Sequence, residues 1–218
     1  MGHYLYIDIE TLPCVDPADA PPGKAPSNYK DPEKIAAYIA EHAAEAHRAT
    51  ALDPYAGRIL AIGYALDDED PQVLYGEDEQ ALLVGLETVI RRVDPHPYYL
   101  VGHNLEGFDL RWLYLRAARY RLPHLQRRLP WHPYQRAYRI DTMLLAGGPS
   151  RERVSLARLA RYFGLGSKAE GLDGSAVYDA YLAGEHARIQ RYCAADVELT
   201  RDIHDRLEGF TKYREDRT

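Results

Sequence analysis

The feature that most constrains this chain is a strand that ends in acid. Tyr4, Leu5, Tyr6 and Ile7 form a largely apolar run that closes on Asp8, Ile9 and Glu10, and residues 3 to 9 read as a β-strand. Side chains two apart on a strand share a face, so both carboxylates point the same way. Thr11-Leu12-Pro13 ends the element, because proline cannot continue a ladder.

The rest of the chain alternates helices and strands. Residues 14 to 30, rich in Pro, Asp, Ala and Gly, read as a surface loop. Residues 31 to 48 read as a helix with Asp31 as its cap and Pro32 as its first residue. Together they make residues 14 to 57 a loop-helix insertion or flap whose Lys24, Tyr29, Lys30 and Lys34 could close over a substrate; a solubilising excursion explains it equally well.

Arg58 to Leu66 is a strand, Asp67 to Pro71 an acidic turn and Gln72 to Tyr75 a returning strand, which makes a hairpin. The turn's acids are read as a solvated tip rather than a metal site. A helix over Glu79 to Val93 precedes a short strand at Tyr98 to Val101. The next helix runs from Asp109 to Leu122, with Leu110, Leu113, Tyr114, Ala117 and Ala118 toward the core. A strand at Tyr138 to Ile140 delivers Asp141, a Ser-capped helix spans Ser155 to Phe163, and two helices follow over 176 to 182 and from Glu185 to about Leu207. Early strands in hairpin order followed by alternating helices and strands predict an α/β fold with a mixed sheet and helices on both faces.

A chain of 218 residues fits one such domain carrying the insertion at 14 to 57. No apolar run approaches the roughly 18 residues of a membrane span, and no basic segment precedes the first strand, so neither a span nor a signal peptide is expected. Cys14 and Cys193 lack metal-site spacing and read as free thiols of a reducing compartment, the cytoplasm by default.

Net charge is -6, but its distribution is uneven. Between Arg111 and Arg161 stand twelve arginines and no lysine against two acids, Asp141 and Glu152. A basic middle in an acidic protein suits an enzyme that holds a polyanion beside a negative metal site. For any single arginine, a solvated helix face is the favoured reading.

Further acids stand where they can join the first pair. Asp109 follows Gly-His-Asn-Leu-Glu-Gly-Phe at a strand-to-helix turn, a position where function often resides. Tyr192 and Asp196 lie four apart in a helical segment and share a face. Crowded carboxylates repel one another unless cations sit between them, so the set asks for hard divalent metals and metal-assisted attack on a phosphodiester. Asp141 is read as an N-cap rather than a fifth site carboxylate, and His103 as a structural hydrogen-bonding group rather than a base. Neither a Gly-x-Gly-x-x-Gly nor a phosphate loop is present; Gly164-Leu-Gly-Ser-Lys168 lacks the required spacing.

Tyr-Ile-Asp-Ile-Glu-Thr at 6 to 11, Asn104-Leu-Glu-Gly-Phe108-Asp109 and Tyr192-Cys-Ala-Ala-Asp196 resemble, in order and spacing, the three exonuclease motifs of the DEDD superfamily. The tyrosine variant is indicated, because the histidine variant would place His five residues before the last Asp, where this chain has Arg191. More narrowly, the chain resembles the predicted 3'-to-5' exonucleases related to the proofreading domain of family B DNA polymerases, without an attached polymerase domain.

That resemblance implies an RNase H-like fold with a central, mixed five-stranded sheet whose first strand is central. It implies that Asp8, Glu10, Asp109 and Asp196 ligate two Mg2+ or Mn2+ ions, that Tyr192 orients the attacking water, and that nucleoside 5'-monophosphates leave a single-stranded DNA end. Thr11 and Leu12 are expected against the terminal nucleotide, Leu12 as an apolar wedge. Asn104 and Phe108 are expected to line the channel, with Phe108 equally readable as core. RNA in place of DNA, or a binding module without turnover, are the alternatives that the motifs leave open.

Overall fold

In the computed structural model, which describes residues 3–150, 152–166 and 172–209, one sheet of five strands organises the chain. Strand β1 is His3–Leu12. Helices α1 (Pro32–Glu41) and α2 (Ala43–Ala49) follow, then β2 (Arg58–Leu66), β3 (Gln72–Tyr75) and α3 (Glu79–Arg91). Next come β4 (Tyr98–Gly102), α4 (Asp109–Arg119), α5 (Pro123–Arg128), β5 (Arg139–Asp141) and α6 (Thr142–Gly147). Helices α7 (Leu156–Phe163), α8 (Val177–Leu182) and α9 (His186–Glu208) complete the order.

The sheet runs β3-β2-β1-β4-β5, so the first strand is central. β1, β2 and β3 are joined antiparallel, while β4 and β5, each reached through a helical crossover, add in parallel. The sheet is therefore mixed and α/β, as the order of elements predicted.

Period two along β1 divides the core. Leu5, Ile7 and Ile9 enter the larger cluster with Leu83, Leu86 and Ile90 of α3 and Leu110, Leu113 and Ala117 of α4. On the other face Tyr6 packs with Ala65, Val101 and Val197 of α9. Each fully buried aliphatic side chain contributes roughly 1.5–3 kcal/mol, so exchanging the two faces by a one-residue slip is heavily disfavoured.

Several expectations change in detail. The 31 to 48 helix begins as read, with Asp31 accepting from the Glu33 N–H and Pro32 in the first turn, but breaks at His42. There the imidazole bonds the Tyr38 carbonyl and stacks on its ring at 3.9 Å, offering the backbone a local alternative to the helical ladder. The helix from Asp109 stops at Arg119, three residues early, and a second short helix starts at Pro123.

Ala118 is exposed; Trp112 and Arg116 take the buried positions instead. Arg116 leaves the surface as the ion-pair partner of buried Glu79, whose carboxylate lies 3.0 Å from its Nε and accepts the Ile59 N–H at 2.8 Å and the Tyr120 hydroxyl at 2.9 Å. The acidic hairpin turn is not simply solvated either. Asp67 accepts the Tyr4 N–H at 2.8 Å, and Arg201 donates to the Asp67 and Glu69 carbonyls. The Gly164 to Lys168 segment lies partly outside the described residues.

Candidate active site

The acid face of β1 is the face that α9 covers. Asp8 stands opposite Gly63 in the β1–β2 register, and at Gly63 α9 lies directly on the sheet. A Cβ at Gly63 would lie 2.8 Å from Cys193 Sγ and 2.9 Å from Val197 Cγ2, so only glycine lets the helix settle there. That approach sets Tyr192, Cys193 and Asp196 over Asp8 and Glu10. One ligand atom each from Asp8, Glu10 and Cys193 falls within 4.8 Å of the others.

Tyr192 shares a hydrogen bond with Asp196 and lies in the field of Glu10 and Asp8. Burial first, then those three carboxylates, push its phenol far above its ordinary range, which favours the neutral O–H in the metal-free fold. Immediately after Glu10 the β1–β2 register shifts, an irregularity of the kind that re-aims side chains beside a site.

Asp109 arrives from the opposite direction. The parallel pairing of β1 with β4 is registered from His3↔Tyr98 to Tyr6↔Val101, and further along β1 the Ile9 N–H is accepted by Asp109 Oδ1 at 3.0 Å. Asp109 is the first residue of α4 and is buried. Burial pushes its carboxyl up to about 8; its own N–H and that of Ile9 oppose this, while Asp141 and Asp196 add to it.

Four carboxylates from β1, α4 and α9 thus crowd a space poor in water, three of them buried and Asp8 partly so. Like charges brought this close repel one another; a hard divalent cation among them removes that conflict. The donor set fits such ions. Cys193 does not add to it, since burial and the same carboxylates hold its thiol well above the usual range and it points to the Asp8 carbonyl at 3.7 Å.

The remaining predicted residues divide. Thr11 is buried and its hydroxyl donates to the Ala51 carbonyl, which ties the end of β1 to the segment before β2. Leu12 has no exposed surface and packs with Leu60, Ile189 and Tyr192, so as it stands the expected wedge is a core side chain supporting Tyr192. Phe108 is half-buried and rests on the larger core and on Trp112, ring centroids 5.9 Å apart. Asn104 turns the loop before α4 at φ 61°, a left-handed conformation that asparagine tolerates.

Asp141 caps α6 as read, and His103 Nδ1 bonds the Thr142 hydroxyl at 2.9 Å. Sequence reasoning missed the second half of Asp141's work. It also accepts the Asn104 and Glu106 N–H groups, each at 3.0 Å, and so braces the loop that delivers Asp109. The only signal for this was an acid ending a strand, which the capping reading had already absorbed.

Forty-one chains of solved structures match. One is the family B DNA polymerase of the hyperthermophilic archaeon Pyrobaculum calidifontis, at 18% identity and a TM-score of 0.61. The match covers 95% of this chain, which spans only 25% of that polymerase, and it shows the shared fold. No curated protein matches. Residues 58–211 match the family model described as a predicted 3'-5' exonuclease related to the exonuclease domain of PolB; Asp109, Tyr192 and Asp196 lie inside the match, Asp8 and Glu10 before it. The mixed five-stranded sheet flanked by helices is the RNase H-like fold, and the chain belongs to the family of predicted 3'-5' exonucleases related to the exonuclease domain of PolB.

Proposed function

We propose that the chain is a metal-dependent 3'-to-5' exonuclease that shortens single-stranded DNA, or frayed 3' ends, to nucleoside 5'-monophosphates. The observation that carries this reading is the convergence of four carboxylates from three separate elements, with the Asp109 carboxyl driven up to about 8 by burial first and by Asp141 and Asp196 in addition. Asp8, Glu10, Asp109 and Asp196 would hold two Mg2+ or Mn2+ ions. Such ions, when bound, supply hydroxide at neutral pH and stabilise the charge of an in-line displacement.

The residues of the chain do the rest. Tyr192 remains protonated and orients the attacking water through its hydroxyl, with Asp196 fixing the phenol. The Ile9 N–H holds the Asp109 carboxylate in place as it ionises. Thr11, Asn104 and Phe108 border the space open to the terminal nucleotide, and Leu12 supports it from within the core.

Residues 14–57 are an excursion on a single exonuclease domain. Two buried free thiols suit the cytoplasm, and among the described residues no helix is long and apolar enough to cross a membrane. DNA is preferred to RNA because the fold is that of a DNA polymerase domain.

The test uses 5'-labelled DNA and RNA oligonucleotides with Mg2+ or Mn2+, with and without chelator. A ladder shortening from the 3' end, lost with chelator and reduced roughly 10³-fold or more in Asp109→Ala, is expected. A ladder on RNA alone would reassign the substrate, and tight binding without any ladder would reduce the chain to a binding module.

A further inference from the structure

We infer that Tyr55 and Arg111 form a stacking platform for a base of the substrate strand, upstream of the bond being cut; this rests on the reading of the chain as a single-strand nuclease. Tyr55 is 68% exposed, yet the backbone beneath it is fixed. Its N–H donates to the Asp53 carboxylate at 2.9 Å, and the Ala56 and Gly57 N–H groups donate to the Asp53 carbonyl.

The segment is also clamped from both sides. A Cβ at Gly57 would lie 2.9 Å from the Leu12 carbonyl oxygen and 2.9 Å from the Trp112 ring, which wedges the chain between the end of β1 and the first turns of α4. On the β1 side, Thr11 beside Glu10 bonds Ala51. An exposed aromatic ring is thus presented on a rigid mount next to the end of β1, the strand that carries Asp8 and Glu10.

Arg111 lies over that ring, its guanidinium carbon 5.4 Å from the centroid. Arg111 is exposed, and no carboxylate pairs with it among the described residues. A planar cation over an aromatic ring, both accessible, offers a base a surface on which to stack and a phosphate a counter-charge. Two residues along a helix turn a side chain by about 200°, so Arg111 leaves α4 away from Asp109. The platform therefore lies to one side of Asp109, where it would take the base of a nucleotide other than the one released.

Charge sets the path of the backbone. The cavity on the other side of Tyr55 is lined by five acids against three arginines, which turns phosphates away from it and toward Arg111. Tyr55 lies in the 14–57 excursion, before the residues that match the family, 58–211, and Arg111 lies within them.

Binding of a 5'-fluorescein-labelled single-stranded 12-mer, followed by anisotropy with Ca2+ in place of Mg2+, tests this. Tyr55→Ala is expected to raise Kd roughly 5- to 100-fold, Arg111→Ala to raise it and flatten its salt dependence, and Tyr55→Phe to leave it within about twofold. With Mg2+ the defect of Tyr55→Ala falls on KM and shrinks as the substrate is shortened toward a dinucleotide. A Kd of Tyr55→Ala and Arg111→Ala equal to that of the unaltered chain, with normal melting curves, overturns the inference, and so does an unaltered chain that binds no oligonucleotide. Tyr55-dependent binding without nucleotide release would end the exonuclease reading and leave the platform standing; nucleotide release indifferent to Tyr55 would do the reverse.

Discussion

At the scale of single residues the account turns on Asp109. Its carboxyl ordinarily titrates near 3.8, and in the metal-free fold it is pushed up to about 8. Below the lower value folded and unfolded chains both hold the proton, and Asp109 adds no pH dependence. As pH rises toward 8 the unfolded chain has released it while the fold retains it, so the contribution of Asp109 to stability declines and is fully lost above the folded value.

Asp109→Asn keeps an oxygen for the Ile9 N–H and removes the charge. Without metal, its melting temperature is therefore expected to gain on that of the unaltered chain between pH 5 and 8.5, while activity falls roughly 10³-fold. A difference in melting temperature that is flat with pH would mean that burial and the neighbouring acids do not hold the Asp109 carboxyl up. Tyr192→Phe is expected to slow turnover roughly 10²-fold and to leave Mn2+ affinity nearly unchanged, because a phenol held protonated orients water without ligating the ions. Equal rates would remove that role.

At the scale of elements, the site depends on how closely α9 lies on the sheet. Gly63→Val adds atoms where even one Cβ would meet Cys193 Sγ at 2.8 Å, and the helix carrying Tyr192 and Asp196 has to lift. Overpacking of this kind costs roughly 1–3 kcal/mol, and activity is expected to fall by more than stability alone explains; a fully active, stable Gly63→Val would contradict this placement of α9.

This is also where the sequence was most and least legible. Asp8 with Glu10 and Tyr192 with Asp196 follow from the two periodicities, since each pair shares a face whatever surrounds it. Gly63 was invisible, because nothing in Ile62-Gly63-Tyr64 tells that a helix more than 120 residues away will press on it. The burial of Arg116 was missed for a related reason: its partner Glu79 lies on another helix, and a run of arginines reads as surface until its counter-charges are found. The break at His42 rests on a side-chain-to-backbone bond that competes locally with the helix, and periodicity carries no sign of it.

At the scale of the whole molecule, the sheet order places β1 between a hairpin and two parallel strands, so its acid end is reached from β2, α4 and α9 together. Order of elements predicted this mixed sheet, and the motif resemblance implied that Asp8, Glu10, Asp109 and Asp196 meet, whereas the contacts that bring them together, such as the Ile9 N–H on Asp109 and α9 on Gly63, became visible only in three dimensions. The claim that everything else depends on is that this space binds divalent cations. Titration of the chain with Mn2+ in the presence of a nucleoside 5'-monophosphate, counted by loss of the free-ion paramagnetic resonance signal, measures it directly. Two ions per chain, with at least one lost in Asp109→Asn and in Asp196→Asn, is the expected result; no bound Mn2+, or binding indifferent to both substitutions, would contradict the account.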